Sequence, residues 1–448
     1  MRKKNDLGYI TKNKRKKSKL PYILSVILVI SIAGVATLLY FQNHHRNDDD
    51  VSETIRQQTE TKAVKEQSVS TTGQSEFQPE DDYSGQAQWQ DGKEKKFQVS
   101  ADQEEDIHQE MLQVQQVYRD LFLSNSTDPN AYNVHFENDM LHQMADAISK
   151  EGISVYCAKH DYNLTNADEI ISALQNAKAG NSAHFVIYIL NEAGGLQRDE
   201  FQFTNGSLYV TTSVLGVNGS MEQNEFYTNC YLVYQWEYTE KGWLIYETAP
   251  SLNYEMDLHC FIRIEPLDDL CREICSSYIT PIGYNVNLFT TDWTQDNCDE
   301  IDFNDLYEYL YRMQNNSYME VFSYNDGIEE SDFETTIRHY FKVSSAYLKA
   351  HCGFDASTGH YTWTAGYVGT IIPQLSPIAE VVDCTDDGSG IVTCTVDGIL
   401  TECGLDCAYR NIVTLERQAD GTYKYIGNQV QRDYQQWTPD STPRENLK

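Results

Sequence analysis

The densest neighbourhood of reactive side chains in the chain is His339, His351, Cys352 and His360. A cysteine beside a histidine pairs a nucleophile with a base, or supplies two ligands for zinc. The spacing matches no standard zinc motif. His351 and Cys352 also close a helical stretch, where histidine complements the helix dipole, so a structural role is the favoured reading.

A second group is the acidic run "DNCDEIDFND", in which Asp296, Asp299, Asp302 and Asp305 invite a calcium reading. It lacks the alternation and central glycine of an EF-hand loop. Asp302 serves equally as a cap for the following helix, with Asp305 in its first turn.

The cysteines form the third group. Cys384 and Cys394 flank "TDDGSGIVT", a hairpin whose turn brings the two sulfurs near one another, and they are the candidate disulfide. Cys271 and Cys275 share one helix face, and Cys403 and Cys407 enclose "GLD"; neither pair is a C-x-x-C. All eleven cysteines follow position 156, and the odd number leaves at least one free or paired between chains. The chain contains no Walker loop, G-x-S-x-G, S-x-x-K, H-E-x-x-H or dinucleotide-binding glycine pattern. No catalytic, cofactor-binding or metal residue is assigned, and no cofactor is implied.

The elements that position these groups begin at "PYILSVILVISIAGVATLLYF", residues 21–41, which carry no charge and reach about 31 Å as a helix, the thickness of a bilayer core. Its length and apolar end favour a retained transmembrane helix over a cleaved signal. Residues 1–20 hold nine Lys or Arg against Asp6 alone, which places that tail in the cytoplasm and the rest outside. Removing the tail's +8 from the chain's −33 leaves −41 for the remainder, a balance that repels nucleic acid and favours cations and basic partners.

Residues 42–102 are polar and rich in Gln, Ser, Thr and acids, a disordered linker with an end-to-end distance of roughly 45 Å. Helical periodicity follows in "EEDIHQEMLQVQQVYRDLFL", "NDMLHQMADAISKEG" and "NADEIISALQNAKAG", where Asn166 and Glu169 have capping-box spacing. His142 lies within the second of these as a satisfied or exposed side chain. From Ala183 the strands "AHFVIYIL", "DEFQFT", "SLYVTTSVLG", "EFYTNCYLVYQWEYT" and "GWLIYE" form an antiparallel meander with helices on one face.

The second half repeats the order. "PLDDLCREICSSYI", "DFNDLYEYLYRMQNN" and "SDFETTIRHYFKVSSAYLKAHC" read as helices, and "GHYTWTAGY", "AEVVDCT", "GIVTCTVDGIL", "RNIVTLERQ" and "TYKYIGNQV" as strands. The fold class is therefore α+β: a transmembrane helix, a linker, then two helix-plus-antiparallel-sheet domains over 103–250 and 251–435, with a flexible tail over 436–448.

The ordered set "GSLYVTTSVLGVNG", "EYTEKGWLIYE", "RIEPLDDLCREICSSYITPIGYNVNLFTTDW", "DFNDLYEYLYRM", "IRHYFKVSSAYLKAHCGFDASTGHYTW" and "TYKYIGNQV" resembles a domain-of-unknown-function family of secreted or membrane-anchored proteins from Gram-positive, clostridia-like bacteria. The resemblance covers about residues 107–430 and implies a bacterial cell-surface protein; it carries over no activity and no catalytic residue. The leading expectation is a single-pass surface protein with a noncatalytic extracytoplasmic binding ectodomain. Its expected partners are the bilayer through residues 21–41 and an extracytoplasmic protein, peptide or glycan, with no nucleic acid. The alternatives are a structural subunit of an envelope secretion or conjugation assembly, and a cell-envelope hydrolase.

Overall fold

A computed structural model describes residues 93–442, apart from 133, 159–161, 251–258, 321–325, 364–368, 371–376, 438 and 440. The expected membrane span at 21–41, the basic tail before it and most of the linker lie outside the described residues. Among the described residues no helix is long and apolar enough to cross a membrane. The helices and antiparallel sheets of the α+β reading are present, and the described residues form one compact unit.

Short strand β1 (Lys95–Phe97) leads into helix α1 (Ala101–Asn125). Ser100 caps α1 by accepting the Gln103 N–H, and the Gln103 side chain returns a bond to the Ser100 backbone, a capping box. Ile107, Met111, Val114, Tyr118 and Phe122 line its buried stripe, against Leu141, Met144 and Ile148 of α2 (Asn138–Ser149).

Strand β2 (Val155–Cys157) is followed by α3 (Asp168–Lys178) and β3 (Ala183–Leu190), which runs parallel to β2. Antiparallel strands β4 (Leu196–Thr204), β5 (Ser207–Val217) and β6 (Gln223–Leu232) complete a six-stranded sheet of order β1-β6-β5-β4-β3-β2. The turn between β4 and β5 uses Asn205 and Gly206, both in the left-handed region at φ +50 and +79, as a tight hairpin requires.

Helices cover both faces of this sheet, where one covered face was expected. Tyr188 and Leu190 of β3 join the core under α1 and α2, while Phe185, Ile187 and Ile189 join a second core under α3. The unbroken apolar run "FVIYIL" is the cause, since a strand that is apolar on both sides must bury both. A second difference concerns Asn166. It does not cap α3; it sits at φ +49 and its amide donates to the carbonyls of Ser149 and Ile153.

The second core is closed by a three-stranded sheet of β7 (Gln235–Tyr238), β8 (Trp243–Glu247) and β9 (His259–Arg263). Beyond it come α4 (Asp269–Ile274), continued by a π turn at Cys275–Ile279, then β10 (Trp293–Thr294) and α5 (Phe303–Asn315). Strand β11 (Ile328–Glu329) precedes α6 (Glu330–Tyr340) and α7 (Ser345–His351). Residues 331–352, expected as one helix, divide at Phe341, which is extended at φ −129 and bridges to Tyr425, while Ser344 caps α7 by accepting the Tyr347 N–H.

Strands β12 (Phe354–Asp355) and β13 (His360–Tyr361) make a small sheet with β11, and β14 (Gly369–Thr370) pairs with the late strand Ser441–Thr442. The remaining strands are β15 (Ile378–Asp386), β16 (Ile391–Leu400), β17 (Leu405–Arg417) and β18 (Tyr423–Val430), in an antiparallel sheet of order β10-β18-β17-β16-β15. Phe303, Tyr307, Phe333, Phe341, Tyr361 and Tyr425 are among the side chains of its core.

Candidate functional site

Arg198 and Asp199 are adjacent in the middle of β4, so their side chains point to opposite faces of a sheet covered on both sides. Both are buried, and each needs compensation. On the α1 face Arg198 receives it: Glu110 lies 3.2 Å away and Glu200 2.9 Å away, and the Tyr188 hydroxyl donates to Glu110 at 2.6 Å.

On the other face Asp199 is 2% exposed and is bonded by neutral groups. The Gln197 amide donates to its two oxygens at 3.1 and 2.9 Å, and the hydroxyl of Thr212, its neighbour across β5, adds a third bond. Among the described residues no Lys, Arg or His forms an ion pair with it, because the nearby guanidinium is held on the opposite face. Burial pushes its carboxyl up to about 6, against the bonds from Thr212 and Gln197 and the charge of Arg198.

Four further groups converge electrostatically on Asp199: Tyr156 from β2, Tyr227 from β6, Tyr246 from β8 and Cys260 from β9. Tyr246 and Cys260 are cross-strand partners, joined by a bond from hydroxyl to sulfur. Burial pushes Tyr227 up to about 12 and Cys260 up to about 11, and raises Tyr156 and Tyr246 further, so all four remain neutral donors at neutral pH. Tyr156, Tyr227, Gln197, Thr212 and Cys260 are half-buried, which leaves the group on the edge of solvent rather than sealed. Such a set holds one titratable carboxyl among aromatic rings and hydroxyl donors, a chemistry suited to an ammonium or polyol and to proton transfer near neutrality.

A second polar cluster joins the three-stranded sheet to the large sheet of the second half. Asp397 is fully buried and takes Lys241 Nζ at 2.6 Å and the Arg410 fork at 2.5 and 2.8 Å. Beside it His259 Nε2 meets Glu247 at 2.8 Å, and Arg263 Nη1 stands 3.6 Å from Glu380. Burial raises the Glu380 carboxyl against the pull of Arg263 and Arg272.

The His/Cys and acidic candidates gather at no common centre among the described residues, though His351 Nε2 stands 3.9 Å from Asp299. His351 Nδ1 bonds the Tyr347 carbonyl in its own helix, His360 Nδ1 bonds the Thr358 carbonyl, and His339 lies edge-on to Tyr340. Cys352 is buried, which pushes its thiol up to about 12. His142 lies tilted against Tyr162, their ring centroids 4.9 Å apart. Asp299 accepts the Tyr347 hydroxyl, Asp302 accepts the Asn287 amide, and Asp305 is buried in the first turn of α5. Asp302 occupies the N-cap position of α5 without a side-chain capping bond. Among the described residues no three His, Cys, Asp or Glu side chains gather as a metal site. Cys384 and Cys394 are brought together as thiols, with sulfurs 3.0 Å apart.

The sequence profile of a family of unknown function, DUF6070, matches residues 102–444. The chain belongs to DUF6070. No curated protein matches it, and no solved structure matches it. The DUF6070 region contains the Asp199 group, the Asp397 cluster and all the cysteines.

Sequence reading passed over Asp199. The signal available was "QRDEFQF", two opposite charges side by side in a strand flanked by apolar strands. Alternation assigns one of them to the core, but the periodicity gives no sign that the second face is covered as well.

Proposed function

We propose that this DUF6070 chain is a single-pass, N-terminus-inside bacterial surface protein whose extracytoplasmic region binds an amine-bearing ligand, a peptide or amino sugar, without turning it over. The apolar stretch 21–41 behind a basic tail supports the placement. One observation carries the binding reading: Asp199 is a carboxyl with neutral hydrogen-bond partners, bordered by tyrosine rings from three strands. An ammonium would supply the missing counter-charge. The acidic balance of the chain raises the local concentration of such cations.

The test is calorimetric titration of the full-length protein with a short peptide carrying a free amino terminus, and with the same peptide N-acetylated. The free amine should bind at least about tenfold more tightly, a difference of about 1.4 kcal/mol, and Asp199→Asn should erase that preference. Equal binding of the two peptides would refute the reading.

A second reading, a cell-envelope hydrolase, draws on the same carboxyl, since an acid titrating at about 6 beside neutral hydroxyls is suited to general acid–base work. It requires release of product from wall or peptide substrate that is lost in Asp199→Asn.

A further inference from the structure

Three cysteines gather where α4 packs on β15, the hairpin partner of β16. Cys384 and Cys394 are directly opposed across the hairpin, with their sulfurs 3.0 Å apart. Cys271 comes from α4, which packs on β15, and belongs to the buried cluster against which Cys384 is packed, close enough for the two thiols to influence one another. Cys271 and Cys394 are buried, and Cys384 between them is the partly open one. Cys275, one turn along the same helix face, is turned elsewhere: its sulfur bonds the Ala379 carbonyl at 3.4 Å and contacts the Thr280 hydroxyl at 3.5 Å.

We propose that Cys384 is the shared sulfur of a thiol–disulfide exchange site, bonded to Cys394 in one state and to Cys271 in the other. Entry is at Cys384. Its thiolate attacks an external low-molecular-weight disulfide, whose S–S bond breaks, releasing one thiol. The Cys394 thiolate then attacks Cys384 in the mixed disulfide and expels the second thiol. Two protein thiols have lost two electrons and two protons, and the external disulfide has gained both.

Exchange needs no further oxidant. The Cys271 thiolate attacks Cys384, the Cys384–Cys394 bond breaks, and Cys394 leaves as a thiolate that takes up the proton Cys271 gave away. The neighbouring Cys384, burial, and the carboxyls of Asp268 and Asp383 all hold Cys271 protonated, so the thiol is a reluctant nucleophile and exchange accelerates as pH rises. The two bonds differ in consequence. Cys384–Cys394 staples one hairpin, whereas Cys271–Cys384 fastens α4 to the sheet and closes the whole intervening segment.

The test uses the full-length protein equilibrated with glutathione and glutathione disulfide, acid-quenched, alkylated and mapped by peptide mass spectrometry. Wild type should give both cross-linked peptides, with 271–384 forming after 384–394. Cys394→Ser should move the entire cross-link to 271–384, Cys271→Ser should leave 384–394 alone, and Cys384→Ser should abolish both. The proposal is overturned if Cys394→Ser keeps the wild-type circular dichroism and yet leaves Cys271 and Cys384 separately alkylated. Where that variant does not fold, wild type decides: absence of any 271–384 peptide between neutral and mildly alkaline pH overturns the proposal equally.

Discussion

Lys241 Nζ lies 2.6 Å from Asp397 Oδ2, and this bond joins the turn between β7 and β8 to the interior of β16. Arg410, opposite Asp397 on β17, completes the pairing with two bonds of its own. One fully buried carboxylate thus faces two cations, and removing it leaves both uncompensated. Asp397→Ala is expected to cost about 3–5 kcal/mol in denaturant unfolding of the full-length protein. A cost below about 1 kcal/mol would show that water or a shifted side chain takes its place.

Asp199 makes stability depend on pH with a defined sign. Its folded carboxyl titrates at about 6, above the unfolded value near 4, so the folded state holds a proton that the unfolded state has lost. Stability falls as pH rises through that window and levels off above it. Asp199→Asn removes the dependence, so between pH 4 and pH 8 the variant should gain about 3 kcal/mol relative to wild type. Parallel pH–stability curves for the two proteins would contradict the environment described for Asp199.

Gly219 makes room for a loop. A Cβ there would stand 1.9 Å from the Asp128 carbonyl oxygen, and the Gly219 carbonyl accepts the Ser126 hydroxyl at 2.7 Å while its N–H donates to Ala131. Because the obstacle is backbone, it cannot swing aside. Gly219→Ala should cost about 1–3 kcal/mol in thermal or denaturant unfolding, whereas Gly206→Ala, with open space around it, pays only for its left-handed backbone.

Much of the fold was legible where a local pattern sufficed. The stripe Ile107, Met111, Val114 and Tyr118 gave α1, although its last buried member is Phe122 and not the expected Leu121, and Asn205-Gly206, between two strand-like runs, gave the hairpin between β4 and β5. Features set by distant contacts were not. Phe341 breaks the 331–352 helix because it pairs with Tyr425, more than eighty residues away in sequence. Asn166 is drawn from its expected cap by carbonyls of Ser149 and Ile153. Asp199 is buried by α3 and by strands β7 to β9, whose docking no window around "QRDEFQF" reveals. Cys384 and Cys394 were legible as neighbours because one hairpin joins them, but Cys271 reaches Cys384 only through the packing of α4 on β15.

The half-buried thiol Cys260 tests the geometry around Asp199 from another side. The Tyr246 hydroxyl donates to its sulfur, and burial keeps the thiol protonated to about 11. Cys260 is therefore expected to react with a neutral-pH alkylating reagent at least about tenfold more slowly than the exposed Cys403. Comparable rates would place Cys260 outside the group around Asp199.

The most direct measurement of the central claim is the affinity of the full-length protein for the free-amine peptide as a function of pH. If the ammonium is taken by ionised Asp199, binding should weaken about tenfold between pH 7 and pH 5, as the carboxyl gains its proton at about 6, and Asp199→Asn should show no such change. A wild-type affinity that is flat across this range, or equally pH-dependent in Asp199→Asn, would contradict the claim that Asp199 holds the ligand.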